Sequence, residues 1–259
     1  MSEEPLSPVF VTGASAGIGK ACARRFASEG RDLILAARRL ERLEELKAEL
    51  VEDHGVRVRV GELDVRDREA VGEFVSRLES EGRVPEVLVN NAGLAAGKKP
   101  LHEGSFRDWD RMIDTNVTGL LNVSRYVLPL MVRRDRGHVV NMGSIAGHIV
   151  YPGGNVYNAT KFAVRALTQA MNVDLVDTRV RVSCVSPGAV ETEFSQVRFH
   201  GDEERAERVY EGYRPLKAKD VADAVAYAVN APPHVSVHDL VIMPTAQRNP
   251  YVLDRSRMG

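Results

Sequence analysis

Pro8-Val-Phe-Val-Thr12 runs directly into Gly13-Ala-Ser-Ala-Gly17-Ile-Gly19, and the reading of this stretch decides the fold. A short apolar run reads as a buried strand, and a helical pattern follows the glycines through Ala27. Strand, glycine turn and helix in that order are what a dinucleotide site needs. Gly13 permits the tight turn, Gly17 lets backbone approach phosphates, and Gly19 lets the helix pack close to the sheet. The glycines are spaced G-x-x-x-G-x-G, not G-x-G-x-x-G, and a glycine-rich turn alone is also consistent with a plain tight turn.

Working outward, strands and helices alternate. Asp32-Leu-Ile-Leu-Ala36-Ala37 reads as the second strand and ends at Arg38-Arg39. In such a fold an acidic residue at that place holds the ribose 2′-hydroxyl of NAD. Two guanidinium groups instead grip a 2′-phosphate, so NADP is the expected cofactor. The same arginines also open the charged helix Leu40–Glu52. Val56–Val60 reads as the third strand, closed by Asp64-Val65, where Asp64 is placed to accept a hydrogen bond from an adenine amine. Glu86–Asn90 is the fourth strand and ends in Asn90-Asn91-Ala92-Gly93; ligands sit at the carboxyl ends of strands in open sheets. Ser105 to Val132 carries one long helical pattern with Asn116 inside it, a mediocre helix former that wants a partner if buried. His138–Met142, then Gly143-Ser144, gives the fifth strand; Val180–Val185, then Ser186-Pro187-Gly188, the sixth; Val235–Met243 the seventh. The alternation predicts an α/β, Rossmann-type doubly wound, seven-stranded parallel sheet with helices on both faces, residues 1–259 forming a single NADP-binding catalytic domain. Residues 191–213 interrupt the alternation and read as a substrate lid.

Tyr157-Asn-Ala-Thr-Lys161 lies in a predicted helix whose apolar stripe is Val156, Ala159, Ala163, Ala166, Leu167 and Ala170. Tyr157 and Lys161 fall together on a flank away from that stripe. A tyrosine titrates near ~10. An ammonium about 4 Å away at an effective dielectric of about 20 would bring it towards ~7, a useful value for a general acid or base. Taken alone, the pair also suits a plain surface helix.

The chain has 259 residues, 44% hydrophobic and 27% charged, with a net charge of −1. That length suffices for one buried core, and the near-neutral charge gives no case for nucleic acid or an anionic membrane. No apolar leader or spanning run is visible, and Cys22 and Cys184 read as reduced core thiols, so a cytoplasmic protein is expected. The seven histidines are scattered and no metal-ligand spacing occurs.

Thr12-Gly-Ala-Ser-Ala-Gly-Ile-Gly19, Asn90-Asn-Ala-Gly93, Asn116, Ser144, Tyr157-x-x-x-Lys161 and Pro187-Gly188, in this order, resemble the short-chain dehydrogenase/reductase family. The resemblance runs from Val9 to about Pro244. Arg38–Leu46, Trp109–Asn116, Gly153–Tyr157, Glu193–Phe199 and Met243-Pro244 further resemble its NADP-dependent 3-hydroxy acid dehydrogenases, which also oxidise serine and L-allo-threonine. The resemblance implies Tyr157 as proton-transferring tyrosine, and Lys161 as the lysine that lowers its pKa and holds the nicotinamide ribose. It implies Ser144 as hydrogen-bond partner of the reacting oxygen, and Asn116 as the residue whose backbone holds a water. It implies that Gly13, Ser15, Ile18, Asn91 and Gly93 line the cofactor, and that Pro187, Gly188 and Thr192 hold its carboxamide. A small-molecule substrate and a homotetramer are implied as well; Phe162 and Val173 widen the apolar face of the Tyr157 helix, as burial on two sides would, although an ordinary core helix has the same pattern. Arg198, in the lid, is the candidate for a substrate carboxylate, with a solvated surface charge as the other reading. A broad carbonyl reductase, a 3-oxoacyl carrier-protein reductase and a non-catalytic NADP(H) sensor remain as alternatives. Residues 246–259 match nothing.

Overall fold

The structure, a computed structural model, describes residues 8–199, 201–202, 204 and 209–256. Strands β1 (Val9–Thr12), β2 (Leu33–Ala37), β3 (Val58–Glu62), β4 (Val87–Asn90), β5 (Gly137–Met142), β6 (Val180–Pro187) and β9 (Asp239–Ile242) form one sheet in the order β3-β2-β1-β4-β5-β6-β9. Every pairing is parallel, with Val11 opposite both Leu35 and Val89. The expected sheet is present; the third strand begins two residues later than its alternating pattern suggested, and the seventh is shorter.

The central strands are apolar throughout because both faces are covered. The period-2 alternation divides them between two cores. Val9, Val11, Leu33 and Leu35 face helices α1 (Gly17–Ala27), α2 (Leu40–His54) and α8 (Ala218–Val229), where Phe26, Leu43 and Val225 are fully buried. Phe10, Ile34 and Leu88 face α3 (Arg68–Ser80), α5 (Gly119–Arg133) and α6 (Asn155–Asp174). Asp67 caps α3 by accepting from the Glu69 and Ala70 amides, satisfying two end donors that would otherwise be orphaned. The strand order reverses between β1 and β4, which opens a crevice at their carboxyl ends.

Two expectations need correction. The long helix from Ser105 is α4 (Phe106–Ile113) and α5, joined by a π-helical turn at Asp114–Thr118 that contains Asn116. On α6 the buried face is Tyr157, Asn158, Thr160, Lys161, Val164, Thr168 and Met171, whereas Ala159, Ala166 and Ala170 are exposed. The polar side chains turn inward because partners await them. Asn141 on β5 donates to Thr168, and Asn158 donates to the Ala146 and Ile149 carbonyls.

The predicted lid is set off by a short parallel pair, β7 (Val190–Glu191) with β8 (Leu216–Lys217), which brings the two ends of the excursion together. Within it lies α7 (Phe194–Arg198); residues 200, 203 and 205–208 of this segment lie outside the described residues.

Candidate active site

The glycine turn shows why its residues are glycines. Gly13 and Gly17 have φ of +64° and +51°, in the left-handed region. A Cβ on Gly19 would fall 2.5 Å from the Gly13 carbonyl oxygen and from Asn91 Nδ2, so α1 meets the turn and β4 with no room for a side chain. Asn91 Nδ2 in turn donates to the Thr12 and Gly13 carbonyls, tying the end of β4 to the turn. No side chain caps the N-terminus of α1. Ala16, Gly17 and Ile18 at this end line the crevice, an arrangement suited to a pyrophosphate.

A cavity of about 370 Å³ runs from this turn to Tyr157. Gly13, Ser15, Gly17, Ile18, Arg38, Arg39, Asp64, Val65, Asn91, Gly93, Pro187, Gly188 and Thr192 all line it, with Ser144, Tyr157 and Lys161 at its far end. Gly19 is a packing residue behind the wall. Asp64 faces the cavity but is gripped by Arg66 in a two-pronged pair, which holds its carboxyl below the usual range. Arg39 donates to Ser15 Oγ and pairs with Glu193, which also pairs with Arg42. An anion thus already sits on the arginine cluster at the end of β2, where a 2′-phosphate would go. Shape and donor set together fit NADP.

At the other end, the segment after β5 is pressed against β6 and α6. A Cβ on Gly143 would lie 2.5 Å from Ser186 Oγ, and one on Gly147 2.6 Å from the Lys161 carbonyl oxygen. This closeness brings Ser144 and Tyr157 onto the same stretch of cavity wall. Ser144 Oγ accepts from the Ala146 amide at 3.1 Å. Asn116 is buried, accepting from the Leu94 amide at 2.8 Å and donating to the Leu94 carbonyl and to Thr160 Oγ1. The π turn thereby fixes the β4 loop to α6 beside the pair.

Lys161 Nζ donates to the Met142 carbonyl at 2.7 Å and lies 6.0 Å from the Tyr157 ring centre. Burial pulls its pKa down to about 8. The same burial pushes the Tyr157 phenol above its ordinary value, and Tyr151 adds to this; the Ser144 hydroxyl and the Arg198 guanidinium act the other way. The expected fall towards neutrality under the influence of Lys161 is therefore not what the protein alone displays. Simple Coulomb arithmetic omitted the cost of desolvating both groups, and that cost dominates here.

A second cavity, of about 480 Å³, meets the first at Ser144, Tyr157, Gly188, Val190 and Phe194. Arg198 projects into it, its guanidinium carbon 5.4 Å from the Tyr151 ring centre and 5.7 Å from that of Tyr157. Arg198 Nε and Nη2 are shut off from solvent and have no hydrogen-bond partner. That edge is covered by protein atoms, so it is the residue's place on the cavity wall, with its charge, that suits Arg198 to an anion. Sequence reasoning missed Tyr151, Tyr210, Tyr213 and Gln247 on these walls, as well as Leu253 and Arg255. Gln247 Oε1 accepts from the Ala189 amide and fills the space beside Gly188. Nothing local in the sequence of 246–256 signals this docking, which depends on contacts with distant residues.

The family model for short chain dehydrogenases matches residues 7–203. The chain belongs to the short-chain dehydrogenase family and is an oxidoreductase. Among individual proteins, it is 48% identical over 240 residues to the NADP-dependent 3-hydroxy acid dehydrogenase of Salmonella typhi, covering 92% of this chain and 95% of that one. It is 45% identical to sulfoacetaldehyde reductase 2 of Chromohalobacter salexigens, covering 95% and 98%. The closed form of a serine dehydrogenase complexed with NADP+ superposes with a TM-score of 0.90 at 46% identity, covering 94% and 97%.

Proposed function

We propose that this protein is an NADP-dependent oxidoreductase acting on the hydroxyl or keto carbon of a small 3-hydroxy acid or 3-hydroxy amino acid. The observation that carries this reading is the junction of the two cavities at Ser144 and Tyr157, with the Arg198 guanidinium on the wall of the second, 5.7 Å from the Tyr157 ring centre. NADP bound along the first cavity supplies or accepts the hydride. Arg38 and Arg39 hold the 2′-phosphate, the glycine turn and α1 the pyrophosphate, and Lys161 the nicotinamide ribose; Pro187, Gly188 and Thr192 hold the carboxamide. Ser144 Oγ donates to the substrate oxygen, favouring the charge that develops there. Tyr157 Oη takes the hydroxyl proton during oxidation and returns it during reduction. Asn116 fixes the backbone through which Lys161 reaches solvent. Arg198 binds the substrate carboxylate, and residues 191–213 close over it as a lid on a single catalytic domain.

A sulfonate is a second anion that the same guanidinium fork accepts, favoured by the likeness to sulfoacetaldehyde reductase 2. The test is a panel of serine, 3-hydroxyisobutyrate, a hydroxyalkane sulfonate and an acetoacetyl thioester, with NADP+ and NAD+ in parallel. Tyr157→Phe is expected to lower turnover by a factor on the order of a thousand with NADP affinity nearly unchanged. Arg198→Gln is expected to raise the Michaelis constant for 3-hydroxy acids by roughly ten- to a hundredfold and leave that for their uncharged amides alone. An acid and its amide responding equally would overturn the assignment of Arg198.

The exposed apolar face of α6, with Phe162 38% and Val173 71% exposed, supports self-association through this helix into a homotetramer. Among the described residues no helix is long and apolar enough to cross a membrane, and both cysteines are free and buried, in keeping with a cytoplasmic setting.

A further inference from the structure

We propose that the Tyr210 hydroxyl is the positioning group for α7: it holds this helix on the wall of the second cavity and so fixes where Arg198 stands relative to Tyr157. This rests on the reading of Arg198 as the group that meets the substrate anion, and it names the residue that keeps it in place.

The need for such a group follows from the size of α7, which has five residues. Helices shorter than ~12 residues are not stable by themselves in water. Glu193, at its start, makes no capping bond from its side chain, and Ser195 is the buried residue of the five. The ion pairs of Glu193 with Arg39 and Arg42 are half-exposed, and such pairs constrain little. The helix is therefore held by what Ser195 and its far end bind.

Ser195 Oγ lies 2.6 Å from Tyr210 Oη, and Tyr210 Oη donates to the Val190 carbonyl at 2.7 Å. With the phenol proton given to Val190, the Tyr210 oxygen accepts from the Ser195 hydroxyl. One phenol thus joins α7 to β7. That anchor is firm: β7 pairs with β8, and β8 runs directly into α8, whose apolar face lies in the core. At the far end, the Gly97 amide donates to the Arg198 carbonyl at 3.0 Å.

The face that this tie orients is the one that meets the site. Phe194 and Arg198 are four residues apart and share a side of the helix. The Phe194 ring is 5.8 Å from the Tyr157 ring, and the Arg198 guanidinium is 5.7 Å from it. Ser195 follows Phe194 by ~100° around the helix axis. A turn of α7 about that axis moves Phe194 and Arg198 together, and the bond from Ser195 to Tyr210 opposes it.

The test compares Tyr210→Phe, Ser195→Ala and the double variant. Each single change should raise the Michaelis constant for a 3-hydroxy acid roughly tenfold and leave NADP+ affinity in place. The uncharged amide should respond much less, so the preference for acid over amide falls. The double variant should match Tyr210→Phe alone, because the two groups act through one bond. A readout free of turnover is hydrogen exchange by mass spectrometry with NADP+ bound: amides of 194–198 should exchange faster in both single variants, with the sheet unchanged. A silent Ser195→Ala beside an impaired Tyr210→Phe would mean that Tyr210 touches the substrate itself, and would overturn the proposal. Additive losses in the double variant, or unaltered exchange in α7, would overturn it too. Failure of the anion reading would appear separately, as an unchanged Michaelis constant for the acid in Arg198→Gln while α7 still exchanges faster in Tyr210→Phe.

Discussion

At the scale of single residues, the site holds one charged group at a cost and another in a favourable pairing. Lys161 is drawn from its ordinary 10.5 to about 8 by burial. Between those values the unfolded chain binds the proton and the folded protein does not, so folding gains stability from this group as pH rises from 8 to 10.5. Below about pH 8 the full cost of the buried ammonium stands, on the order of 3 kcal/mol. Lys161→Met should therefore stabilise the cofactor-free protein at pH 7 by roughly 1–2 kcal/mol, after loss of the hydrogen bond to Met142, while removing activity. Urea melts at pH 7 and pH 10 check this: the advantage should shrink at the higher pH. Glu193 is the favourably paired group, lying across Arg39 and Arg42, which hold its carboxyl below the usual range. A 2′-phosphate bound to these arginines would have to displace it, so Glu193→Gln should tighten NADP+ binding about two- to fivefold and leave NAD+ binding unchanged. Calorimetric titration of both cofactors decides the point. An equal effect on the two would mean that Glu193 does not compete for the phosphate place.

At the scale of elements, α6 carries the main lesson. Ala159, Ala166 and Ala170 of its predicted stripe are outside, Val156 and Leu167 are partly buried against the core, and its polar stripe is inside against β5 and the π turn. Hydrophobic periodicity identified a helix correctly but assigned the stripe no partner, because a catalytic helix buries polar side chains when the neighbouring elements supply their hydrogen bonds. A face of small residues left exposed on a helix of this length is where a second copy can approach closely. Ala166→Glu should shift the protein to smaller assemblies in light scattering, with its helical circular dichroism retained. An unchanged mass would assign the face to solvent. The π turn is the other element-scale feature; it places Asn116 between Leu94 and Thr160, a position one uninterrupted α-helix does not provide.

At the scale of the whole molecule, the crevice at the β1–β4 reversal becomes two joined cavities because segments distant in sequence close around it. Among the described residues one wall comes from Phe194, Ser195, Arg198, Tyr210 and Tyr213, and another from Gln247, Pro250, Leu253 and Arg255. Ending the chain at Thr245 should raise the Michaelis constant for a 3-hydroxy acid roughly tenfold and leave NADP affinity within about threefold. Steady-state kinetics beside cofactor titration would show it, and an unchanged Michaelis constant would remove the tail from the substrate wall.

From sequence alone, the alternating strand and helix patterns determined the doubly wound parallel sheet, since apolar period and glycine placement act locally. The glycine turn, Arg38-Arg39 and the Tyr157–Lys161 register were legible for the same reason: each is a short-range pattern with its own geometric demand. Tertiary structure alone decided which face of α6 is buried and what surrounds Tyr157. It also decided that Glu193 rests on the arginines, and that residues 246–256 wall the second cavity. These depend on desolvation and on partners brought from far along the chain, and neither is encoded in the spacing of neighbouring residues.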